Sequence, residues 1–247
     1  MFRLDGKVII LTGAAHGLGA AAAVVLAEQG ASLALVDIEK KELETVAARV
    51  KADARSYHAD LSDIDSIASL TEGVCGDFGR IDVLINNAAV CPRISFMDSR
   101  EEDWHKIMNI NAMGPFFLMQ SVCRIMQKQG GGKVINVIST SGQVGANVDA
   151  SIYSSSKGAM LAYSKAVAKE LVRHNISINC FSPGTMATEM INSLPEEKKK
   201  YLIEKFIPMG RFTTPEEMAK PLVFMCSDEC SFTTGATFDF VGGSIMR

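Results

Sequence analysis

Apolar runs of strand length recur along the whole chain, and segments of helical periodicity separate them. The first run, KVIILT over 7–12, is continuous and β-branched, the pattern of a strand covered on both faces. A helix is expected over 17–29, stopped by Gly30. Further strands are expected over 32–37, 54–58, 81–85, 133–138, 177–181 and 236–241. Further helices are expected over 40–51, 62–78, 101–111, 115–129, 150–173 and 215–226, with Gly114-Pro115 disturbing one join. Such alternation predicts an α/β architecture: a doubly wound parallel sheet of about seven strands, with helices on both faces. No linker, repeat or low-complexity stretch divides the 247 residues, so one domain over 1–247 is expected. The Met-rich segment at about 186–212 is unlike the rest and predicts short helices forming a lid.

Several function classes are disfavoured by composition. A net charge of -3 offers no basic face for nucleic acid. The longest apolar run falls short of a membrane span, and Met-Phe-Arg-Leu-Asp-Gly-Lys lacks an apolar core of signal-peptide length. The six cysteines are scattered, and Cys226 and Cys230 lack a second metal-ligand pair. No metal site is expected, and reduced thiols in the cytoplasm are the better reading.

Two motifs carry chemistry. Between the first strand and the first helix lies Thr12-Gly13-Ala-Ala-His-Gly17-Leu18-Gly19. Glycines in that context let backbone approach a pyrophosphate, and the helix start supplies free N–H groups and a positive dipole end. Asp37, at the end of the second strand, is placed to accept from both adenosine ribose hydroxyls and to repel a 2'-phosphate, which favours NAD over NADP. His16 is read as a turn or capping residue that would help hold a phosphate if protonated. The second motif is Tyr153-Ser-Ser-Ser-Lys157, which puts a phenol and an ammonium on one helix face. A cation there should lower the phenol pKa and make Tyr153 a general acid or base for an alcohol or carbonyl.

With these motifs in place, nearly the whole chain resembles the classical short-chain dehydrogenase/reductase family. That resemblance implies a single Rossmann-type domain and further site positions. Asp60-Leu61 matches the family's adenine-contacting pair, and Asn86-Asn87-Ala88-Ala89 matches its Asn-Asn-Ala-Gly turn beside the cofactor. Asn111 matches the tetrad asparagine, in a locally irregular helix; Asn109 fits less well. Of the hydroxyls ending the fifth strand, Ser139 has the family's register to Asn136 and Gly142. The spacing to Tyr153 would select Thr140, and Ser141 is the weaker candidate, as a substrate contact. Pro183-Gly184-Thr185-Met186-Ala187-Thr188 matches the element whose Met186 and Thr188 positions hold the nicotinamide amide or phosphates. Tyr153 and Lys157 also count as cofactor contacts, Lys157 through the ribose.

The resemblance implies an NAD-dependent oxidoreductase interconverting a small-molecule secondary alcohol and a ketone, in a homotetramer. No nucleic-acid or membrane partner is expected. Substrate-pocket candidates are Cys91, Arg93, Ser141, Val144, Asn147, Met190 and Phe206. Arg93 offers a place for an anionic group, although an exposed loop arginine is more often simply solvated. One alternative is an NADPH-dependent 3-oxoacyl-thioester reductase of the acyl-carrier-protein type, with Lys198-Lys199-Lys200 greeting the carrier; Asp37 argues against it. Another is a catalytically silent NAD-binding scaffold, against which the complete tetrad argues.

Overall fold

The computed structural model describes residues 2–50, 52–146, 148–187 and 189–246, leaving aside the side chains of Glu189 and Met190. Seven strands form one sheet: β1 (Val8–Thr12), β2 (Ser32–Asp37), β3 (Ala54–His58), β4 (Val83–Asn86), β5 (Gly132–Val137), β6 (Ile176–Pro183) and β7 (Thr237–Phe240). Their spatial order is β3-β2-β1-β4-β5-β6-β7, and every pair is parallel. Chain direction therefore reverses its march across the sheet between β1 and β4, the switch point where such sheets leave a crevice beyond their carboxyl ends.

The helices are α1 (Gly17–Glu28), α2 (Lys40–Arg49), α3 (Ile64–Phe78), α4 (Glu101–Met108), α5 (Gly114–Gln129), α6 (Thr140–Val144), α7 (Ser151–Leu171), α8 (Glu189–Asn192), α9 (Glu196–Phe206) and α10 (Pro215–Cys226). Successive strand residues point to opposite faces, and both faces are apolar. Ile9 and Leu11 of β1 pack in one cluster, with Ala22 and Leu26 of α1 and Leu222 of α10. Ile10 packs in the other, with Ile67 of α3, Leu118 and Val122 of α5 and Ala168 of α7.

Local chemistry sets the helix ends. Asp63 accepts from the Asp65 N–H at 3.0 Å to open α3, and Gly79 closes it at φ 73°. Thr214 and Glu217 form a reciprocal capping box at α10. The irregularity anticipated near Gly114 is a π-helical turn over Asn109–Met113 joining α4 to α5. Gly114 lies so close to the Leu61 carbonyl that an added Cβ would meet the oxygen at 2.0 Å. The expected helix over 101–111 thus gives way to the π turn after Met108. The helix α6 was not anticipated, because so short a segment carries no readable period.

Candidate active site

At the carboxyl end of β1 the chain turns through Gly13 at φ +66° and Gly17 at φ +52°, conformations that glycine adopts without a Cβ penalty. A Cβ on Gly19 would stand 1.9 Å from the Gly13 carbonyl oxygen, so the loop closes only on a hydrogen there. Gly17 instead faces open space, with nothing within 4 Å of an added Cβ. This opening lies before the amino terminus of α1, whose cap residue His16 makes no side-chain capping bond. Leu18 is buried in the core, so its backbone alone serves the loop. Bare backbone, free helix N–H groups and open space fit a dinucleotide pyrophosphate.

Asp37 is tied to this loop. One carboxylate oxygen accepts from the Ala15 N–H at 2.9 Å and the other from the Glu39 N–H at 3.1 Å. His16 pairs with Glu39 at 3.0 Å, and that hydrogen bond raises the imidazole pKa. The Asp60 carboxylate caps its own turn, accepting from the Ser62 N–H and hydroxyl at 2.8 and 2.7 Å. Asn87 donates to the Thr12 and Gly13 carbonyls at 3.0 and 3.1 Å, holding Ala88 beside the glycines.

The four proposed catalytic residues come from three elements. Tyr153 and Lys157 stand on α7, Ser139 caps α6 by accepting from the Ser141 N–H at 3.1 Å, and Asn111 sits in the π-helical turn. The Ser139 side chain is close enough to Tyr153 to favour its ionised form. Tyr153 as a whole is partly exposed, but burial around its hydroxyl pushes the pKa up to about 12 against the opposing pull of Ser139.

Lys157 does not bring the lowered phenol pKa expected of it, because burial of the phenol dominates. Its buried ammonium donates to the Val137 carbonyl at 2.6 Å, and the cation felt by Tyr153 is Arg93. Burial lowers the Lys157 pKa to about 8. An ammonium has three donors, so one bond to Val137 leaves two for a ribose hydroxyl or a water.

Asn111 is fully buried. Its carboxamide accepts from the Val90 N–H and donates to the Val90 carbonyl, both at 2.8 Å, and donates to the Ser156 hydroxyl at 3.2 Å. Ser156 passes the link on by donating to the Tyr153 carbonyl at 2.7 Å.

A cavity of about 730 Å³ opens under α8 and α9, and its lining includes none of Asn111, Ser139, Tyr153 and Lys157. Thr140 lines it, as do Arg93, Val144 and Phe206 of the expected pocket. Cys91 and Ser141 do not. Ser141 is buried in the first turn of α6 and serves Ser139 through its N–H, whereas Cys91 lies close enough to Tyr153 to raise its pKa. Asn147, Thr188 and the Met190 side chain fall outside the described residues. Met186 is held by a bridge to Thr213, and the Gly184 N–H donates to the Phe240 carbonyl at 2.8 Å, so Pro183-Gly184 are locked to β7.

Thr12 was missed as a site residue. Its buried hydroxyl accepts from the Asn87 and Ala88 N–H groups, both at 3.0 Å, and fixes the β4 turn against β1. Ser156 and the Val137 carbonyl were missed too. A serine inside a helix, one place before Lys157, has no local signal for that task, and a backbone carbonyl has none in any sequence.

A family model described as enoyl-(acyl carrier protein) reductase matches residues 13–244. The chain is 37% identical over 247 residues to the 3-oxoacyl-(acyl-carrier-protein) reductase of Thermotoga maritima, covering 99% of this chain and 100% of that protein. It is 37% identical over 251 residues to the 2-dehydro-3-deoxy-D-gluconate 5-dehydrogenase of Dickeya dadantii, covering 100% and 98%. The crystal structure of a short-chain type dehydrogenase/reductase from Mycobacterium marinum superposes with a TM-score of 0.92 at 32% identity, covering 100% of this chain and 98% of that one.

Proposed function

The chain belongs to the classical short-chain dehydrogenase/reductase family, oxidoreductases acting on CH–OH groups, and on that premise we propose that it interconverts a secondary alcohol and a ketone with NAD. The observation that carries the reading is that the fold brings Ser139 up against Tyr153, where it opposes the rise in the phenol pKa, with the buried Lys157 ammonium one helical turn further along α7. A nicotinamide dinucleotide held by the glycine loop, Asp37 and the spare Lys157 donors would supply the hydride-transfer chemistry of the reaction.

The chain's residues handle the proton and the oxygen. In oxidation the Tyr153 phenolate takes the hydroxyl proton; in reduction the phenol returns one to the carbonyl oxygen. Ser139 donates a hydrogen bond to the same oxygen and stabilises its developing charge. Lys157 uses its remaining donors to bind the nicotinamide ribose and to pass a proton toward solvent. Asn111 keeps the π-helical turn and the Val90 backbone together, so that the proton path stays in register.

The preference for NAD is supported by the Asp37 carboxylate at the end of β2, with Glu39 and its His16 partner nearby, because that charge would repel a 2'-phosphate. The two relatives are named for a sugar acid and a carrier-bound oxoacyl group, so the reacting group is common to them and the rest of the substrate is not. We place the protein in the cytoplasm, as a homotetramer built on α4, α5, α7 and the carboxy-terminal strand; Trp104 and Phe117, 45% and 37% exposed on two of those helices, support the assembly. Light scattering tests the assembly.

The deciding experiment follows NADH absorbance with the pure protein across secondary alcohols, hydroxy acids, polyols and steroids, repeated with NADP. Faster turnover with NAD supports the proposal. Turnover with NADPH alone, on oxoacyl thioesters, would replace it with the thioester-reductase reading. Cofactor binding without turnover anywhere would leave a scaffold.

A further inference from the structure

The cavity under α8 and α9, which Thr140 and Arg93 connect to Ser139 and Tyr153, has a charge pattern that alcohol oxidation does not use. Three cations line it, Arg93, Lys198 and Lys205, against one carboxylate among the described lining residues, Asp149. None of the three makes an ion pair with a described residue, whereas nearby bases do: Lys199 with Glu196 at 2.8 Å, Lys200 with Glu204 at 3.8 Å and Arg211 with Glu217 at 2.7 Å.

Helix α9 shows the same division. Residues 198, 202, 205 and 206 share one face at helical spacing and line the cavity, so two lysines sit in the stripe with Leu202 and Phe206. The ion-paired Lys199 and Lys200 are absent from that lining. Lys205 rests over the Tyr201 and Phe206 rings at 5.1 and 5.3 Å and donates to the Tyr201 hydroxyl at 2.7 Å, which holds its ammonium in place without neutralising it. Arg93 uses one N–H on the Val148 carbonyl at 3.0 Å, leaving the rest of its fork. Apolar walls with unneutralised cations suit a ligand that is itself apolar along its length and anionic at one point.

We infer that the substrate is an amphiphilic ketone or secondary alcohol whose apolar body fills this cavity and whose oxyanion group, a carboxylate or a phosphate, is held by Arg93, Lys198 and Lys205. The inference rests on the proposed alcohol–ketone reaction for the reacting end and adds the identity of the other end.

The test measures binding and turnover separately. Calorimetry on the protein loaded with oxidised NAD, which binds a ketone without reducing it, compares 9-oxodecanoate, its methyl ester and the monophosphate of 9-oxodecan-1-ol. One anion should bind about tenfold or more tighter than the ester at low salt, with the advantage shrinking at high salt. Which anion leads identifies the oxyanion. The Lys198→Gln/Lys205→Gln double variant, and Arg93→Gln separately, should each cut the anion-to-ester ratio about tenfold. A ratio near one in the native protein, or a ratio that neither variant moves, overturns the inference. NADH oxidation by the same ketones reads the reaction itself: anion-selective binding without turnover would sink the proposed chemistry and leave the anion site standing.

Discussion

The Lys157 ammonium donates a 2.6 Å hydrogen bond to the carbonyl of Val137, twenty residues earlier in the chain and across the sheet–helix interface. This bond orients a fully buried cation that sits beside no described carboxylate. The phenol beside it on the same helix is governed chiefly by burial, with Ser139, Cys91 and Arg93 as the further influences.

A buried ammonium costs stability, and the cost depends on pH. Folding lowers the Lys157 pKa from 10.5 to about 8, so between those values the unfolded chain binds more protons than the native one. Stability therefore rises with pH across that window, and the whole cost is present below about pH 8. The shift corresponds to roughly 3 kcal/mol, and losing the bond to Val137 offsets about 1. Lys157→Met should then be inactive yet more stable than wild type by roughly 2 kcal/mol at about pH 7. The urea midpoints of the two proteins should converge as pH approaches 10.5.

Removing the Tyr153 hydroxyl should remove the chemistry and spare the cofactor. Tyr153→Phe is expected to lower turnover about a thousandfold with NADH binding intact by fluorescence titration. Ser139→Ala should cost about a hundredfold. Near-native activity in Tyr153→Phe would refute the assignment.

The phenol pKa of about 12 means that the acid needed for ketone reduction is in place at neutral pH, whereas oxidation needs the phenolate. The kcat/KM for alcohol oxidation should climb about tenfold per pH unit above neutrality. Ketone reduction should stay flat over the same range. An oxidation profile already level near neutral pH would mean that the loaded protein turns Lys157 from Val137 toward the phenol.

Two glycines of the loop should respond differently. Gly19→Ala drives a Cβ into the Gly13 carbonyl at 1.9 Å, against backbone, and is expected to cost roughly 3 kcal/mol in stability together with cofactor binding. Gly17→Ala meets no atom and is penalised only for its positive φ, by about 1 kcal/mol. Thermal melts with and without NAD would distinguish them.

Asp37→Asn keeps an oxygen able to accept from Ala15 or Glu39 and removes the charge. The NADP-to-NAD ratio of kcat/KM should rise about tenfold or more. Asp37→Ala should lose both backbone bonds as well and lower the melting temperature further.

The sequence by itself determined the sheet and the location of the chemistry. Unbroken apolar runs such as 8–11 cannot sit at a surface, so central strands covered on both faces followed directly; β2 and α10 occupy the residues expected of them, as does the half-exposed edge strand β3. The glycine loop was legible because strand, turn and helix follow one another locally, and the break near Gly114 because glycine and proline act on their own backbone. Tertiary structure decided the strand order, the capping of α6 by Ser139, the pinning of the β4 turn by Thr12 and the partner of Lys157. Helical spacing places two Cβ atoms on one face, but it does not say where a four-carbon side chain ends. That depends on which carbonyl the neighbouring strand presents, and Val137 lies on β5, outside any local pattern that includes Tyr153 and Lys157.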